Sequence, residues 1–346
     1  MVTAEECAIS EFSKEDLQLF NDPTKGAGIV KKLQEQFAKK TLPLFLEAVH
    51  YTGNTNECLR HMAEDLTQAP LDILKMLAIQ PSIYLWTTVT RQHALGIQPT
   101  DISGEIIPAR PDYIQCIHNW FEGGLPPFPR LHRNDPFLRL PFSKRIIFEP
   151  PDHLIPAVQL AKEALKIIGI WDPALLEEIR LISPEIQFIR DPSAHPDKAV
   201  SFSDNSVPGA LYISVRRGDG WISVYDLADS IIHEHRHQKL YLLQSIVPIV
   251  AVDAPLVRSP WREDMRPPSG LFHAVFVFST LLKYWQFIQL QSEGELKKYA
   301  KKEATRIKEQ LEAARPILLN TKLTRVGYEL ARVVYEEVTS LDFQGI

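Results

Sequence analysis

Apolar residues recur every three to four positions through residues 13–96, as in Ile29-Val30-Lys31-Lys32-Leu33-Gln34-Glu35-Gln36-Phe37, and this spacing predicts amphipathic helices. Gly53, Pro70 and Pro81 are expected to divide the stretch into several helices. The same period returns over residues 292–341, rich in Glu, Lys, Leu and Ala, with a break expected near Pro316. Lys297-Lys298 and Lys301-Lys302 read as the solvated face of that region. Between the two lie strand-like runs, Ala199-Val200-Ser201-Phe202, Ala210-Leu211-Tyr212-Ile213-Ser214-Val215 and Trp221-Ile222-Ser223-Val224. They are separated by the turn-rich Asp204-Asn205-Ser206-Val207-Pro208-Gly209 and Arg217-Gly218-Asp219-Gly220. A short helix is expected at residues 155–168 and a small antiparallel sheet after it. The fold class read from this pattern is mainly α with a small antiparallel β element (α+β), and not a jelly-roll or cupin barrel.

Proline changes the picture in the middle of the chain, where residues 108–156 hold ten of the 26 prolines and long helices are blocked. Trp120, Phe121, Phe128, Phe137, Phe142 and Phe148 give the same stretch apolar anchors, so it reads as an ordered connection and not a linker. The organisation expected is a helical N-terminal region (1–107), this connection (108–156), and a region carrying the chemistry with C-terminal helices (157–346).

Composition narrows the class. With 45% apolar and 23% charged residues the chain is an ordinary globular protein, and its net charge of −5 offers no basic field for nucleic acid or anionic lipid. Three cysteines, Cys7, Cys58 and Cys116, are odd in number and widely spaced, as reduced thiols are. No secretory signal is legible at the N-terminus and no apolar run of about 18 residues stands out, so the expected location is cytoplasmic with no membrane partner.

The densest chemistry lies in Asp226-Leu227-Ala228-Asp229-Ser230-Ile231-Ile232-His233-Glu234-His235-Arg236-His237-Gln238-Lys239-Leu240, a stretch free of proline and glycine. His233 and His237 are four apart, so a helix stacks their imidazoles one turn apart on one face, which is half of a divalent metal site. Glu234 is offset by about 100° and can project beside a metal, where zinc proteases use such a carboxylate as general base. A solvated histidine patch is the plain alternative, but Leu227, Ile231, Ile232, Leu240 and Leu243 imply a buried helix in which unliganded imidazoles are costly. His235 points elsewhere and reads as a surface residue or a support for the ligands.

Two ligands hold a metal weakly. His273 is the leading third ligand, 36 residues beyond His237 in the apolar run Gly270-Leu271-Phe272-His273-Ala274-Val275-Phe276-Val277-Phe278. A core histidine bonded to a backbone carbonyl is its alternative, and Asp253, Glu263 and Asp264 are carboxylate alternatives for the ligand. The residues alone leave open a metal site with vacant positions, a zinc metallohydrolase or peptidase with Glu234 as base being one form of it, and a metal-free accessory peptide-binding protein in which the histidines are structural.

His233-Glu234-x-x-His237-x-Lys239-Leu240 followed by Pro260-Trp261-Arg262-x-Asp264-x-Arg266-Pro267-x-x-Gly270-Leu271-x-His273 resembles the HExxH-motif proteins of peptide natural-product gene clusters, the 2-oxoglutarate-dependent HExxH-type peptide β-hydroxylases. The compound pattern spans about residues 205–290. Gln80-Pro81-Ser82-x-Tyr84-x-Trp86 also looks like the family's N-terminal helical region. The resemblance implies iron(II) held by His233, His237 and His273, with 2-oxoglutarate and dioxygen as co-substrates and three coordination positions left for them. It implies an oxidoreductase that hydroxylates an amino-acid β-carbon, in a ribosomally made precursor peptide (RiPP biosynthesis) or in an amino acid. Glu234 would then orient a ligand, water or substrate. Where many relatives carry an aromatic and a glutamine this chain has His235-Arg236, a departure at positions near the ligands.

A keto acid's distal carboxylate calls for a bidentate cation. Arg262 and Arg266, just before the His273 segment, are the candidates, with ion pairs to Glu263 or Asp264 as the alternative, and Arg236 comes next. Trp261 is expected to pack this turn. The N-terminal helices read as scaffold, with leader-peptide binding the alternative.

Overall fold

In the computed structural model, residues 12–131, 136–191 and 199–341 are described; Cys7 lies outside them. The helices are α1 Lys14–Asn21, α2 Pro23–Thr55, α3 Arg60–Thr67, α4 Leu71–Ala78, α5 Pro81–Ala94, α6 Tyr113–Gly123, α7 Pro136–Arg139, α8 Pro151–Trp171 and α9 Pro173–Ile182, then α10 Val224–Gln244, α11 Pro268–Gln291, α12 Gly294–Leu319 and α13 Arg325–Leu341. The strands are β1 Ile147–Phe148, β2 Glu185–Arg190, β3 Ser201–Phe202, β4 Ala210–Ile213, β5 Arg216–Arg217, β6 Gly220–Trp221, β7 Val257–Ser259 and β8 Arg262–Arg266. The protein is mainly helical with a small β element, and among the described residues no sheet closes into a barrel.

Several boundaries differ from the sequence pattern for local reasons. Gly53 does not end a helix: it lies inside α2, where a β-carbon would stand 2.7 Å from that of Ala63, so the glycine serves close packing. Pro70 and Pro81 do start helices, at the N-cap of α4 and the first turn of α5. Pro316 sits within α12, and the break comes after Leu319. Val224 opens α10 and is not a strand residue, because the Ser223 hydroxyl accepts the Asp226 backbone N–H (3.0 Å) and caps the helix.

The chain forms two compact units, each discontinuous in sequence. One comprises residues 32–164 and 179–227. Its core gathers Phe45, Leu66, Leu77, Trp86, Ile117 and Phe137 with Tyr212 of β4. Its four-stranded sheet has the order β1-β2-β4-β3. The outer pairings are antiparallel, as in Ser201↔Ile213, whereas the central β2 and β4 run parallel with Glu185 opposite Ala210. Burial on both faces of these two strands fits that central place.

The other unit comprises described residues 12–31, 165–178 and 228–341. α11 is apolar around most of its circumference and forms the centre, with Phe272, Val275, Phe276, Leu281, Leu282 and Trp285 buried. It is long and apolar enough to cross a membrane, yet 78% of its most apolar window is buried within the fold, the setting of a core helix. α12 lays Ala300, Ala304, Ile307, Leu311, Ala314 and Leu318 along α11, and α13 packs on α1. α1 is fixed at its start by a capping box between Ser13 and Asp16.

Candidate metal centre

α10 carries polar side chains on two of its faces. His233, His237, Tyr241 and Gln244 follow at helical spacing along one of them, and α11 brings His273 against it. The His233 and His237 rings lie with centroids 5.0 Å apart, and His237 and His273 5.1 Å apart. The Nδ1 atoms of His237 and His273 are 2.9 Å apart. On its other side His273 donates Nε2–H to Gln244 Oε1 at 2.8 Å, and Tyr241 tilts across its ring at 4.5 Å. Phe278 meets His233 edge-on at 5.4 Å, and Trp261 stacks flat on Phe278 at 5.0 Å. Trp261 thus packs the turn, as its sequence context predicts.

The imidazoles resist protonation. Burial lowers His233 to about 4 and His273 to about 3, while His237 is pushed well below its ordinary value by burial, then by His233, His273 and Arg266. Near neutral pH all three are uncharged and keep a lone pair. His233 and His237 are half-buried and His273 is buried, so the face retains access from solvent.

The other predicted residues divide clearly. Glu234 is buried on α10 beside the histidine face. Arg266 acts electrostatically on His237, lies over Gly270 in the first turn of α11, and has a buried Nε with no hydrogen-bond partner. Arg262 is exposed and registers with Ser259 across the β7–β8 hairpin. The carboxylate alternatives do not join the histidines: Asp253 pairs with Lys322 (2.5 Å) at the surface, and Glu263 and Asp264 are exposed on β8, which is a strand where the sequence suggests a turn.

His235 and Arg236 depart from expectation. His235 is fully buried on the opposite side of α10, with its Nε2 3.0 Å from Glu178 Oε1, so it is no surface residue. Arg236 is equally buried, 3.8 Å over the Phe276 ring and bonded to Asn21 Oδ1 (3.0 Å), which removes it from the histidine face. Lys239 completes the cluster through Glu178 (2.6 Å). Burial alone would raise Glu178, but the Lys239 ammonium and then the His235 hydrogen bond overcome it and leave the carboxyl at about 2. Burial lowers Lys239 to about 8 and Arg236 to about 10.

The donors suit a transition ion chemically, since neutral imidazole binds iron(II) and zinc alike. Among the described residues no group of three His, Cys, Asp or Glu side chains is already drawn together to hold a metal; the arrangement is a contacting pair, His237 with His273, and a third ring one helical turn away. The 2.9 Å between the two Nδ1 atoms is hydrogen-bond distance, so these two rings are close enough to hold one ion between them. Gln244, Tyr241 and Phe278 escaped the sequence reading, although the first two continue the His233–His237 spacing. A cavity of about 340 Å³ opens beside Gln244, walled by Ile249, Val250 and Ala251 and by Pro267, Pro268 and Ser269 at the start of α11.

The fold and face together define a class, a helical protein with an imidazole cluster shared by two packed helices. Compared with known proteins, the chain matches no family model and no curated sequence.

Proposed function

We propose that this chain is an iron(II)- and 2-oxoglutarate-dependent hydroxylase acting on the β-carbon of an amino-acid residue, in a ribosomally made precursor peptide. One observation carries the reading: His233, His237 and His273, all neutral, meet from two helices, with His237 and His273 in contact at 2.9 Å. These three would hold the metal. Iron(II), when bound, couples oxidative decarboxylation of 2-oxoglutarate by dioxygen to hydroxylation of an unactivated carbon.

The chain's own residues supply the rest. Arg266 binds the distal carboxylate of the keto acid: its buried Nε has no hydrogen-bond partner, it lies over Gly270 in the first turn of α11, and its charge is felt at His237. Trp261 and Phe278 wall the His233 side with stacked rings and exclude water there. Glu234 orients its neighbours and is not a hydrolytic base. A zinc hydrolase would need Glu234 as that base, so Glu234→Gln separates the two chemistries.

The test is anaerobic loading with iron(II), admission of air, and assay of succinate with and without 2-oxoglutarate. Succinate formed only with both supports the reading; turnover independent of both overturns it. Arg266→Ala is expected to raise the KM for 2-oxoglutarate at least tenfold, since a charged hydrogen bond contributes about 1.5–3 kcal/mol. An unchanged KM would remove Arg266 from the co-substrate site.

A further inference from the structure

We infer that Gln244 is the positioning residue that fixes the tautomer of His273 and turns its lone pair toward His237. This rests on the metal reading above for its consequence, but its geometry stands in the metal-free protein. An amide oxygen only accepts, so Gln244 Oε1 at 2.8 Å requires the proton of neutral His273 to reside on Nε2. The lone pair is then at Nδ1, the atom that faces His237 Nδ1 at 2.9 Å. In the metal-free state His237 donates Nδ1–H across that gap; a divalent ion would take the place of that proton.

Gln244 lies two turns beyond His237 on the same face of α10, so one helix carries two of the imidazoles and the clamp for the third. Loss of the clamp leaves His273 with a buried Nε2–H and no acceptor. The ring then gains by moving its proton to Nδ1 and donating to His237, which closes the lone pair to a metal. Gln244 borders the 340 Å³ cavity and is only half-buried, so a leucine or glutamate there has room and the variants are expected to fold.

The experiment compares wild type, Gln244→Leu and Gln244→Glu by two readouts. Long-range proton–nitrogen NMR on the metal-free proteins reads the tautomer directly. Wild type and Gln244→Glu are expected to show His273 as Nε2–H, and Gln244→Leu a shift toward Nδ1–H. Anaerobic titration with iron(II) alone is expected to show 10- to 100-fold weaker binding for Gln244→Leu, the usual loss when a ligand's supporting partner is removed, and rescue to within a few-fold by Gln244→Glu. An Nδ1–H tautomer in the wild type, or Gln244→Leu indistinguishable from wild type by NMR, overturns the inference. If wild type binds no iron(II), the metal reading fails while the tautomer measurement still decides the role of Gln244.

Discussion

Glu178 holds two buried cations, Lys239 by a 2.6 Å ion pair and Arg236 by field, and it also accepts from His235. Removing one member of such a set leaves charge uncompensated where water cannot reach it. Glu178→Gln is therefore expected to destabilise the protein by about 3–5 kcal/mol in urea unfolding. The double change Glu178→Leu with Lys239→Met should recover part of that loss, because an apolar pair needs no compensation. If the double variant is no more stable than the single one, the cost lies in packing and not in charge. None of this network is legible in the sequence. The sequence offers Arg236 as a candidate for a keto acid's carboxylate and Lys239 only as part of a motif, and their partner Glu178 is 58 positions before Arg236 and on another helix. The histidines, in contrast, were legible because His233 and His237 obey the helical period themselves and His273 interrupts an otherwise apolar run.

Elements whose stability comes from local pattern were read well, and those defined by distant partners were not. α10 and the C-terminal helices follow the spacing of their apolar residues, and α11 follows its long, nearly unbroken apolar run. β2 escaped because its strand pairs in parallel with β4, beyond a turn-rich stretch, and is buried on both faces, so it shows no clean alternation. The start of α13 shows how a single small residue fixes an element's position. The Gly327 backbone comes so close to Ile249 that a methyl group there would collide with the Ile249 carbonyl, while Thr324 N–H donates to that same carbonyl at 3.2 Å. Gly327→Ala must push α13 away from the segment that walls the Gln244 cavity. It is expected to lower stability by about 1–3 kcal/mol or more, even though alanine is the better helix former by about 1 kcal/mol. Thermal unfolding checks this; a stabilised Gly327→Ala would show that the segment yields freely.

At the scale of the whole molecule, the buried titratable groups combine into one acid response. Each of His233, His237 and His273 has its pKa lowered in the fold, to about 4 and about 3 for the first and last, from an ordinary 6.5. The unfolded chain therefore binds protons that the folded one refuses, and the stability these groups contribute is complete above pH 6.5 and lost as pH falls through their folded values. Glu178, lowered from 4.5 to about 2, adds a second loss with the same sign between about pH 4.5 and 2. Metal-free protein is thus expected to lose stability continuously from pH 6.5 downward, and Glu178→Gln should flatten the acid limb only below pH 4.5. Iron(II) binds neutral imidazole alone, so its stabilisation should be largest at neutral pH and should shrink over the range where the histidines protonate. Urea midpoints measured at half-unit pH intervals, with and without iron(II) under anaerobic conditions, test both limbs. A metal-free stability that holds level from pH 6.5 to 4 would mean the imidazoles are not kept neutral by the fold, and the proposed metal centre would lose its physical basis.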